Sequence, residues 1–275
     1  MELILKLKKV EKDMQDLIDG KSKQNKNRLN LREFNKNESF EILRNKWHEV
    51  PAGNDRVTTK HLLDLPDKAL LDLYLKNRID ATTGEFFSVR GWYHVLYKDI
   101  FRGKRVMDVG SGFGIDGITF AQHGARMTFV DIVESNLEIL KRLCGLLDIE
   151  NVDFCYMESI DSLSPLSKDY DVIWCQGSLI NAPFDIIREE AQELLEHLPV
   201  GGRWIELAYP KARWEREGKM PFEQWGERTD GGAPWMEWYD LDKVKAMLSP
   251  AQFDVVLYSN FFNDDFNWFD LLRRS

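Results

Sequence analysis

Cysteine, long apolar runs and net positive charge are all scarce in this 275-residue sequence. Its three cysteines, Cys144, Cys155 and Cys175, form no CxxC pair and have no histidine at ligand spacing. We therefore expect reduced, mostly buried thiols and no metal site. No apolar run approaches the ~20 residues that a bilayer-spanning helix needs, and charge interrupts the N-terminus too early for a signal peptide. These absences favour a cytoplasmic location without a membrane span.

The charge balance argues against a nucleic-acid partner. The chain holds 37 Lys and Arg against 46 Asp and Glu, which is a net charge of −9. Residues 1–36 hold ten basic and six acidic residues, so the remainder, with 27 basic and 40 acidic, is the acidic part. Affinity for nucleic acids comes mainly from the neutralisation of phosphates. An acidic folded core therefore predicts no nucleic-acid partner.

The sequence divides into three parts. Residues 1–36 begin with apolar side chains three or four positions apart, which predicts an amphipathic helix followed by a polar linker. That helix is suited to packing on its own chain or on a second copy, so a homodimer through it is one hypothesis. Residues 37–101 are expected to form a helical cap from the helix-like segments 39–48, 59–77 and 87–101. Residues 102–275 form the main domain.

In the main domain, short β-branched runs alternate with amphipathic helices, a pattern typical of a doubly wound α/β fold. Seven strands are predicted, at 104–109, 126–131, 152–156, 171–175, 203–208, 253–259 and 266–272. Only about six residues separate the last two strands, which is too few for a parallel crossover. We therefore expect a mostly parallel seven-stranded sheet whose last strand is antiparallel.

The strongest motif is the run Val106-Met-Asp-Val-Gly-Ser-Gly-Phe-Gly114, a strand followed by a glycine-rich turn that opens a helix. Glycine is needed where the backbone approaches a ligand closely or adopts positive φ, and the N–H groups of the following helix favour an anionic group. Gly110, Ser111 and Gly112 would lie under such a ligand. The next strand ends at Asp131, twenty-one residues past Gly110, where a carboxylate can accept both hydroxyls of a ribose.

The glycine spacing distinguishes between two nucleotide cofactors. A dinucleotide fingerprint reads GxGxxG, whereas this chain reads GxGxG after Asp108 and has Ile at position 115. In this respect the chain resembles the class I S-adenosylmethionine (SAM) dependent methyltransferases, whose first motif is an acidic residue followed by GxGxG. The resemblance covers about residues 86–272 and implies SAM as the cofactor.

The resemblance also implies roles for individual residues. Asp108, Gly110 and Gly112 would border the methionine part of SAM. Asp131 would hold the ribose, and Ile132 would pack on the adenine. Further contacts are implied at the end of the third strand, near the adenine, and at the end of the fourth, near the transferable methyl: Glu158, Ser159, Gln176 and Gly177.

A hydroxyl acceptor would need a base to remove its proton. His48 and His94 lie in aromatic segments of the cap, and Glu206 lies near the end of the fifth strand. A carboxylate within a buried strand needs a partner or a function. These three residues are the candidate bases, with a surface or packing role as the alternative for each.

Residues 209–239 form a long connection that carries four of the nine tryptophans. Loops of this length are usually functional lids or disordered. We expect a lid that folds over the acceptor, with residues 39–101 as the opposite wall, because aromatic faces suit sugar rings and flat heterocycles. The candidate substrate contacts are Trp92, Tyr93, Tyr209 and Trp235. Packing of the tryptophans on the cap is the alternative.

These observations favour a SAM-dependent methyltransferase that acts on a small-molecule or glycan acceptor, with oxygen preferred over nitrogen. The Asp/Asn-Pro-Pro-aromatic motif typical of nucleic-acid amino methyltransferases is absent after the fourth strand, which ends in Cys175-Gln-Gly-Ser178. A nicotinamide-dependent oxidoreductase is one alternative, opposed by the glycine spacing. A non-catalytic scaffold with the SAM fold is another, opposed by the intact glycine turn and by Asp131.

Overall fold

The computed structural model describes residues 36–52, 55–229 and 231–275. The predicted N-terminal helix and its linker lie outside the described residues, apart from Lys36. The homodimer hypothesis, which rests on that helix, lies outside them as well.

The cap contains four helices and a hairpin. Its helices are α1 (Lys36–Trp47), α2 (Thr59–Asp64), α3 (Asp67–Thr82) and α4 (Gly91–Tyr97), and a 3₁₀ turn covers Gly84–Ser88. The single helix predicted over 59–77 is two helices, because Leu65 precedes Pro66 and adopts an extended ψ of 142°.

The cap also contains an antiparallel hairpin of β1 (Glu49–Ala52) and β2 (Asp55–Thr58), which the sequence did not predict. Strands of four residues are too short to show a clear period-2 pattern. The side chain of Thr58 accepts a hydrogen bond from the backbone N–H of His61 and so begins α2 directly after the hairpin.

A seven-stranded sheet forms the centre of the protein. Its strands are β3 (Arg105–Val109), β4 (Arg126–Asp131), β5 (Val152–Tyr156), β6 (Val172–Gln176), β7 (Arg203–Ala208), β8 (Phe253–Phe261) and β9 (Phe266–Arg273), in the spatial order β5-β4-β3-β6-β7-β9-β8. Strand β9 is antiparallel to both of its neighbours, and the other pairs of the sheet are parallel. The predicted α/β sheet with its antiparallel last strand is therefore confirmed.

Helices cover both faces of the sheet. On one face lie α7 (Phe184–Glu196) and α10 (Leu241–Leu248), and on the other lie α4, α5 (Ile115–Gln122) and α6 (Glu134–Leu146). Side chains of β6 alternate between the two cores, with Ile173 and Cys175 in the first and Val172 and Trp174 in the second. None of the helices in the described ranges is long and apolar enough to cross a membrane.

Aromatic side chains anchor the cap to the sheet. The rings of Tyr93 and Tyr97 in α4 stack on Trp268 of β9, with centroid distances of 4.7 and 5.6 Å. The Tyr97 hydroxyl also donates a 2.6 Å hydrogen bond to the buried carboxylate of Asp270. These contacts hold the start of α4 above the point where the strand order reverses between β3 and β6, which is the crevice where open α/β sheets bind ligands.

Candidate cofactor and acceptor site

One large cavity lies at the carboxyl ends of β3, β4 and β6, beneath the cap, and has a volume of about 1110 Å³. A single drug-sized ligand occupies a cavity of roughly 300–1,000 Å³. The cavity therefore has room for a nucleotide and a second small molecule. Its walls come from the strand ends on one side and from α1, α3 and the segment before α4 on the other.

The glycine turn after β3 forms the floor of the cavity. Gly110 has a φ of 73°, and a Cβ atom on it would lie 2.5 Å from the Cβ of Ser178 in the loop after β6. Only glycine satisfies both the positive φ and the close approach. The turn consequently brings the end of β6 against the end of β3.

Asp131, the last residue of β4, is held rigidly in the cavity wall. Its carboxylate accepts hydrogen bonds from the backbone N–H groups of Gly112 at 3.0 Å and Val133 at 2.8 Å, and from the amide of Asn136 at 3.3 Å. Burial raises the pKa of Asp131, although these donors partly offset that effect. The carboxylate is thus fixed beside the turn that the ligand must approach.

Asp108 is a buried carboxylate that lacks a partner. Asp108 is 4% exposed and lines the cavity, yet its carboxylate makes no hydrogen bond or ion pair within the described ranges. Burial, together with the nearby charges of Asp116 and Asp131, raises the pKa of Asp108 well above its usual value. The charge of Arg90 lowers this pKa without cancelling the effect of burial, so a bound cation would stabilise the ionised carboxylate further.

Asp116, at the start of α5, has partners on every side. Its carboxylate lies 3.4 Å from the Arg90 guanidinium and accepts a 2.6 Å hydrogen bond from Nε2 of His94 and a 3.4 Å bond from the Trp174 indole. Burial would raise the pKa of Asp116, but the Arg90 charge and the His94 hydrogen bond outweigh it and lower the pKa to about 2. This network orients Arg90, which lines the cavity.

The structure brings together ten of the predicted site residues. The following line the cavity: Asp108, Gly110, Ser111, Gly112, Asp131, Ile132, Gln176, Gly177, Tyr93 and Tyr209. Among the described residues the neighbouring Ser178 hydroxyl and both side-chain atoms of Gln176 are buried without a hydrogen-bond partner. They are free to bind a ligand.

Two of the predicted cofactor residues lie outside the cavity wall. Glu158 is exposed, and its backbone carbonyl accepts a hydrogen bond from Arg44 of α1. Ser159 instead begins the short 3₁₀ turn Ile160–Leu163 through reciprocal hydrogen bonds with Ser162. Met157 takes the place in the wall that we expected for Glu158, because the chain turns outward one residue after β5.

The three candidate bases also lie outside the wall. The His48 imidazole is at the surface, 3.4 Å from the Ser135 hydroxyl. His94 is buried, where it donates to Asp116 as described above. Glu206 is fully buried in the middle of β7 and accepts a 2.8 Å hydrogen bond from the Trp204 indole. The sequence does not show whether the side chain of Glu206 faces the cavity or the core. In the structure this side chain faces the core.

The tryptophan-rich connection has a different structural role from the one we predicted. It contains α8 (Lys211–Arg216) and α9 (Phe222–Thr229), and its contribution to the cavity wall is Tyr209. Trp235 donates a 3.1 Å hydrogen bond to Glu237, which forms a 2.5 Å ion pair with Lys243. The Lys243 ammonium lies 4.4 Å from the ring centre of Trp238. Trp235 and Trp238 therefore contact a largely buried ion pair. Trp92 packs on Trp268 outside the cavity.

The tip of this connection does reach the cap. The Lys46 ammonium of α1 donates a hydrogen bond to the backbone carbonyl of Gly231. A Cβ atom on Gly231 would overlap the guanidinium of Arg56, a cavity residue. The connection thus contacts the cap from outside the cavity wall.

Sequence reasoning missed a buried acidic residue in the wall, Glu190 of α7. A signal for it exists, because Glu190 falls three residues after Ile187 and four before Leu194, on the apolar face of the helix. A carboxylate in an apolar stripe is costly unless it has a partner or a function.

Comparisons with known proteins agree with this geometry. A family model described as a methyltransferase domain matches residues 86–258. A ubiquinone biosynthesis O-methyltransferase of Bordetella parapertussis is 34% identical over 105 residues, which are 38% of this chain and 41% of the relative. The mitochondrial ubiquinone biosynthesis O-methyltransferase of Schizosaccharomyces pombe is 29% identical over 138 residues, 50% of this chain and 46% of the relative. The match thus spans less than half the length of these relatives.

Solved structures share the fold at low sequence identity. The PH0226 protein of Pyrococcus horikoshii matches with a TM-score of 0.56 at 15% identity, over 73% of this chain and 99% of that one. The N-methyltransferase NodS of Bradyrhizobium japonicum, crystallised with S-adenosylhomocysteine (SAH), matches with a TM-score of 0.53 at 14% identity, over 79% and 97%.

The family model covers more than half of the chain and includes the glycine turn, Asp108 and Asp131. This confirms the family that the GxGxG motif predicted. The chain belongs to the methyltransferase-domain family.

Proposed function

We propose that this chain is a SAM-dependent methyltransferase that transfers a methyl group to an oxygen atom of a small-molecule acceptor. The observation that carries the proposal is the presence of an unpartnered buried carboxylate, Asp108, in the same cavity as Arg90 and Asp131. These three charged groups match the charged and polar ends of one nucleotide, and the remaining volume is available for an acceptor.

The methionine end of SAM carries an ammonium and a carboxylate, and the cavity offers a complement to each. The ammonium would pair with Asp108, whose pKa is raised by burial and by the neighbouring carboxylates of Asp116 and Asp131. The carboxylate would pair with the guanidinium of Arg90, which is partly exposed and is held by Asp116 at 3.4 Å. The chain thereby orients the amino-acid end without rearranging its backbone.

The nucleoside end of SAM fits the strand ends beyond the glycine turn. Asp131 would accept the two ribose hydroxyls, since its position at the end of β4 is fixed by Gly112 and Val133. Ile132 and Met157 line the same part of the cavity and would pack on the adenine. Glu158 and Ser159, which follow Met157 and do not line the cavity, remain the proposed contacts of the adenine amino group.

SAM supplies an electrophilic methyl group when it is bound, and this chain contributes alignment. The unpartnered Gln176 and Ser178 side chains lie where β6 ends, next to the glycine turn. They would hydrogen-bond to the acceptor or to the donor and fix the line of attack. Alignment of reacting atoms alone supplies a large part of the rate enhancement in such displacements.

Oxygen is the favoured acceptor atom because the curated relatives are named O-methyltransferases. A sugar acceptor is the narrower form of the proposal, supported by the Trp47 and Tyr209 rings in the cavity wall. A cytoplasmic location accords with the three free thiols at Cys144, Cys155 and Cys175.

SAM and SAH are expected to bind with micromolar affinity, whereas NADH is not expected to bind, because the GxGxG turn and Asp108 suit an amino acid and not a pyrophosphate. Isothermal titration calorimetry with each ligand measures this directly. Tight binding of NADH without binding of SAM would contradict the proposed function and favour an oxidoreductase.

Replacement of Trp235 by alanine is expected to lower the free energy of unfolding by about 1–3 kcal/mol, because Trp235 packs on Phe222 and donates a hydrogen bond to Glu237. Loss of a fully buried ring would cost more, ~3–5 kcal/mol. Turnover by the folded fraction is expected to stay unchanged.

The contrasting variant is Tyr209→Ala, which removes a ring from the cavity wall and should raise the acceptor KM. Thermal denaturation and methyl-transfer kinetics distinguish the two, and a raised KM for Trp235→Ala would restore the lid hypothesis.

A further inference from the structure

Glu190 is a second unpartnered carboxylate in the cavity, separate from those that fit the donor. Glu190 is 9% exposed and lines the cavity from the second turn of α7. The carboxylate makes no hydrogen bond or ion pair within 36–52, 55–229 and 231–275. An isolated carboxylate in such a place is costly, so a role in binding or chemistry would explain its presence.

The topology puts Glu190 on the opposite side of the cavity from the nucleoside. Asp131 and Ile132 lie at the end of β4, whereas α7 directly follows β6, on the far side of β3. Ile187, one turn before Glu190, and Asn181, in the loop after β6, line the same cavity. The unpartnered Ser178 hydroxyl lies between this region and the glycine turn. Glu190 therefore belongs to the part of the cavity that the donor leaves open.

The charge of Glu190 acts on two neutral groups, the Cys175 thiol of β6 and the Tyr239 hydroxyl of the segment before α10. Three other carboxylates act on one or both of these groups: Glu206 of β7, Asp108 of β3 and Glu237 of the segment before α10. Burial raises the pKa of Glu190 to about 7. A carboxyl group with a pKa near the working pH is suited to accepting and releasing a proton.

We propose that Glu190 is the general base of the reaction, which receives the proton of the acceptor hydroxyl; this inference rests on the proposed function. The O–H bond of the acceptor breaks and its proton goes to a Glu190 oxygen. The electron pair of the acceptor oxygen forms the new bond to the methyl carbon, and the pair of the broken C–S bond stays on sulfur, which leaves SAH. Protonated Glu190 then returns its proton to water.

The other charged side chains of the cavity wall are paired, lie over an aromatic ring, are exposed or face the donor. Glu49 pairs with Lys46, Arg56 lies over the Trp47 ring, and Lys76, Asp80 and Glu85 are exposed. Asp108 and Asp131 face the donor, and Asp116 is paired with Arg90 and His94. His48 and Glu206 lie outside the wall. Glu190 lines the acceptor half of the cavity and has no partner among the described residues. Its carboxylate is therefore available to accept a proton from the acceptor.

The first test uses the reagent dicyclohexylcarbodiimide, which modifies protonated carboxyl groups in apolar surroundings, on the protein saturated with SAH. Peptide mass spectrometry should find Glu190 modified at pH 6 and much less at pH 8.5, and Glu190→Gln should lose that modification. Glu189→Gln, an exposed neighbour on the same helix, should leave it unchanged. Absence of modification, or its suppression by SAH, would overturn the proposal, because Glu190 would then be closed off or part of the donor site.

The second test measures transfer of tritium from methyl-labelled SAM to a small-molecule extract of the organism that carries the gene, as a function of pH. Glu190→Gln should lower kcat by about 100-fold or more, abolish the acidic limb near pH 7 and leave the SAM dissociation constant within about twofold of wild type, while Glu189→Gln keeps all three. Wild-type-like turnover in Glu190→Gln, or a parallel loss of SAM affinity, would overturn the proposal. A wild-type protein that binds no SAM or transfers no tritium would instead contradict the proposed function itself.

Discussion

Replacement of Asp131 by alanine is expected to weaken SAM binding by at least about 100-fold. The variant leaves two ribose hydroxyls without a charged acceptor, and each hydrogen bond of this kind contributes about 1.5–3 kcal/mol, where 1.4 kcal/mol corresponds to a tenfold change in affinity. The wild-type carboxylate is already held in place by Gly112, Val133 and Asn136, so its binding geometry requires little additional ordering. Calorimetry with SAM and with SAH measures the loss.

The same substitution removes hydrogen bonds that hold the glycine turn, so folding must be checked by circular dichroism. Asp131→Asn keeps an oxygen acceptor without the charge and is expected to lose less affinity than Asp131→Ala. Asp153→Ala changes an exposed carboxylate on the neighbouring strand β5 and should leave SAM binding intact. An unchanged dissociation constant in folded Asp131→Ala would show that the carboxylate does not contact the ribose.

Glu206→Gln is expected to leave the stability nearly unchanged at acidic pH and to raise it at alkaline pH. Burial raises the pKa of Glu206 from 4.5 to about 8, so between these values the folded chain binds a proton that the unfolded chain has lost. Stability of the wild type therefore falls as the pH rises through this window. One pKa unit corresponds to about 1.4 kcal/mol, so the full cost for this fully buried carboxylate is about 4–5 kcal/mol.

The glutamine variant cannot ionise, and it should be about 4–5 kcal/mol more stable than the wild type at pH 9 on the same estimate. At pH 5, where Glu206 is neutral, the two proteins should differ little, because glutamine also offers an oxygen to the Trp204 indole. Urea denaturation at pH 5, 7 and 9 measures the difference. Glu189→Gln, at an exposed position of α7, serves as the control, and equal pH dependence in wild type and Glu206→Gln would refute the prediction.

The contrast between Glu206 and Glu190 explains why the sequence did not distinguish a glutamate of the cavity from a glutamate of the core. Glu206 lies in a strand of apolar residues and Glu190 on the apolar face of a helix, so both patterns place a carboxylate among apolar side chains. The side chain of Glu206 points from β7 into the core beside Trp204, whereas the side chain of Glu190 faces the cavity from α7. The packing of α7 on the sheet, which joins residues far apart in the chain, decides which of them a substrate can reach.

The tryptophans of residues 209–239 illustrate the same limit. Their density favoured an ordered segment over a disordered one, but the composition of a loop does not specify its packing partners. In the structure the Trp238 ring lies over the charged Lys243 of the Glu237–Lys243 ion pair. An aromatic face stabilises a cation of the protein as readily as a ligand, so composition alone does not distinguish the two roles.

The sequence by itself determined the sheet, the glycine turn and two acidic residues of the cavity wall, Asp108 and Asp131. These features depend on short-range rules: alternation along a strand, positive φ at Gly110 and the placement of Asp108 and Asp131 at the ends of parallel strands. Only the tertiary structure decided the rest. The Asp116 network with Arg90 and His94, the division of the α2–α3 region at Pro66 and the exposure of Glu190 to the cavity all depend on which elements pack together, and that packing is a property of the whole chain.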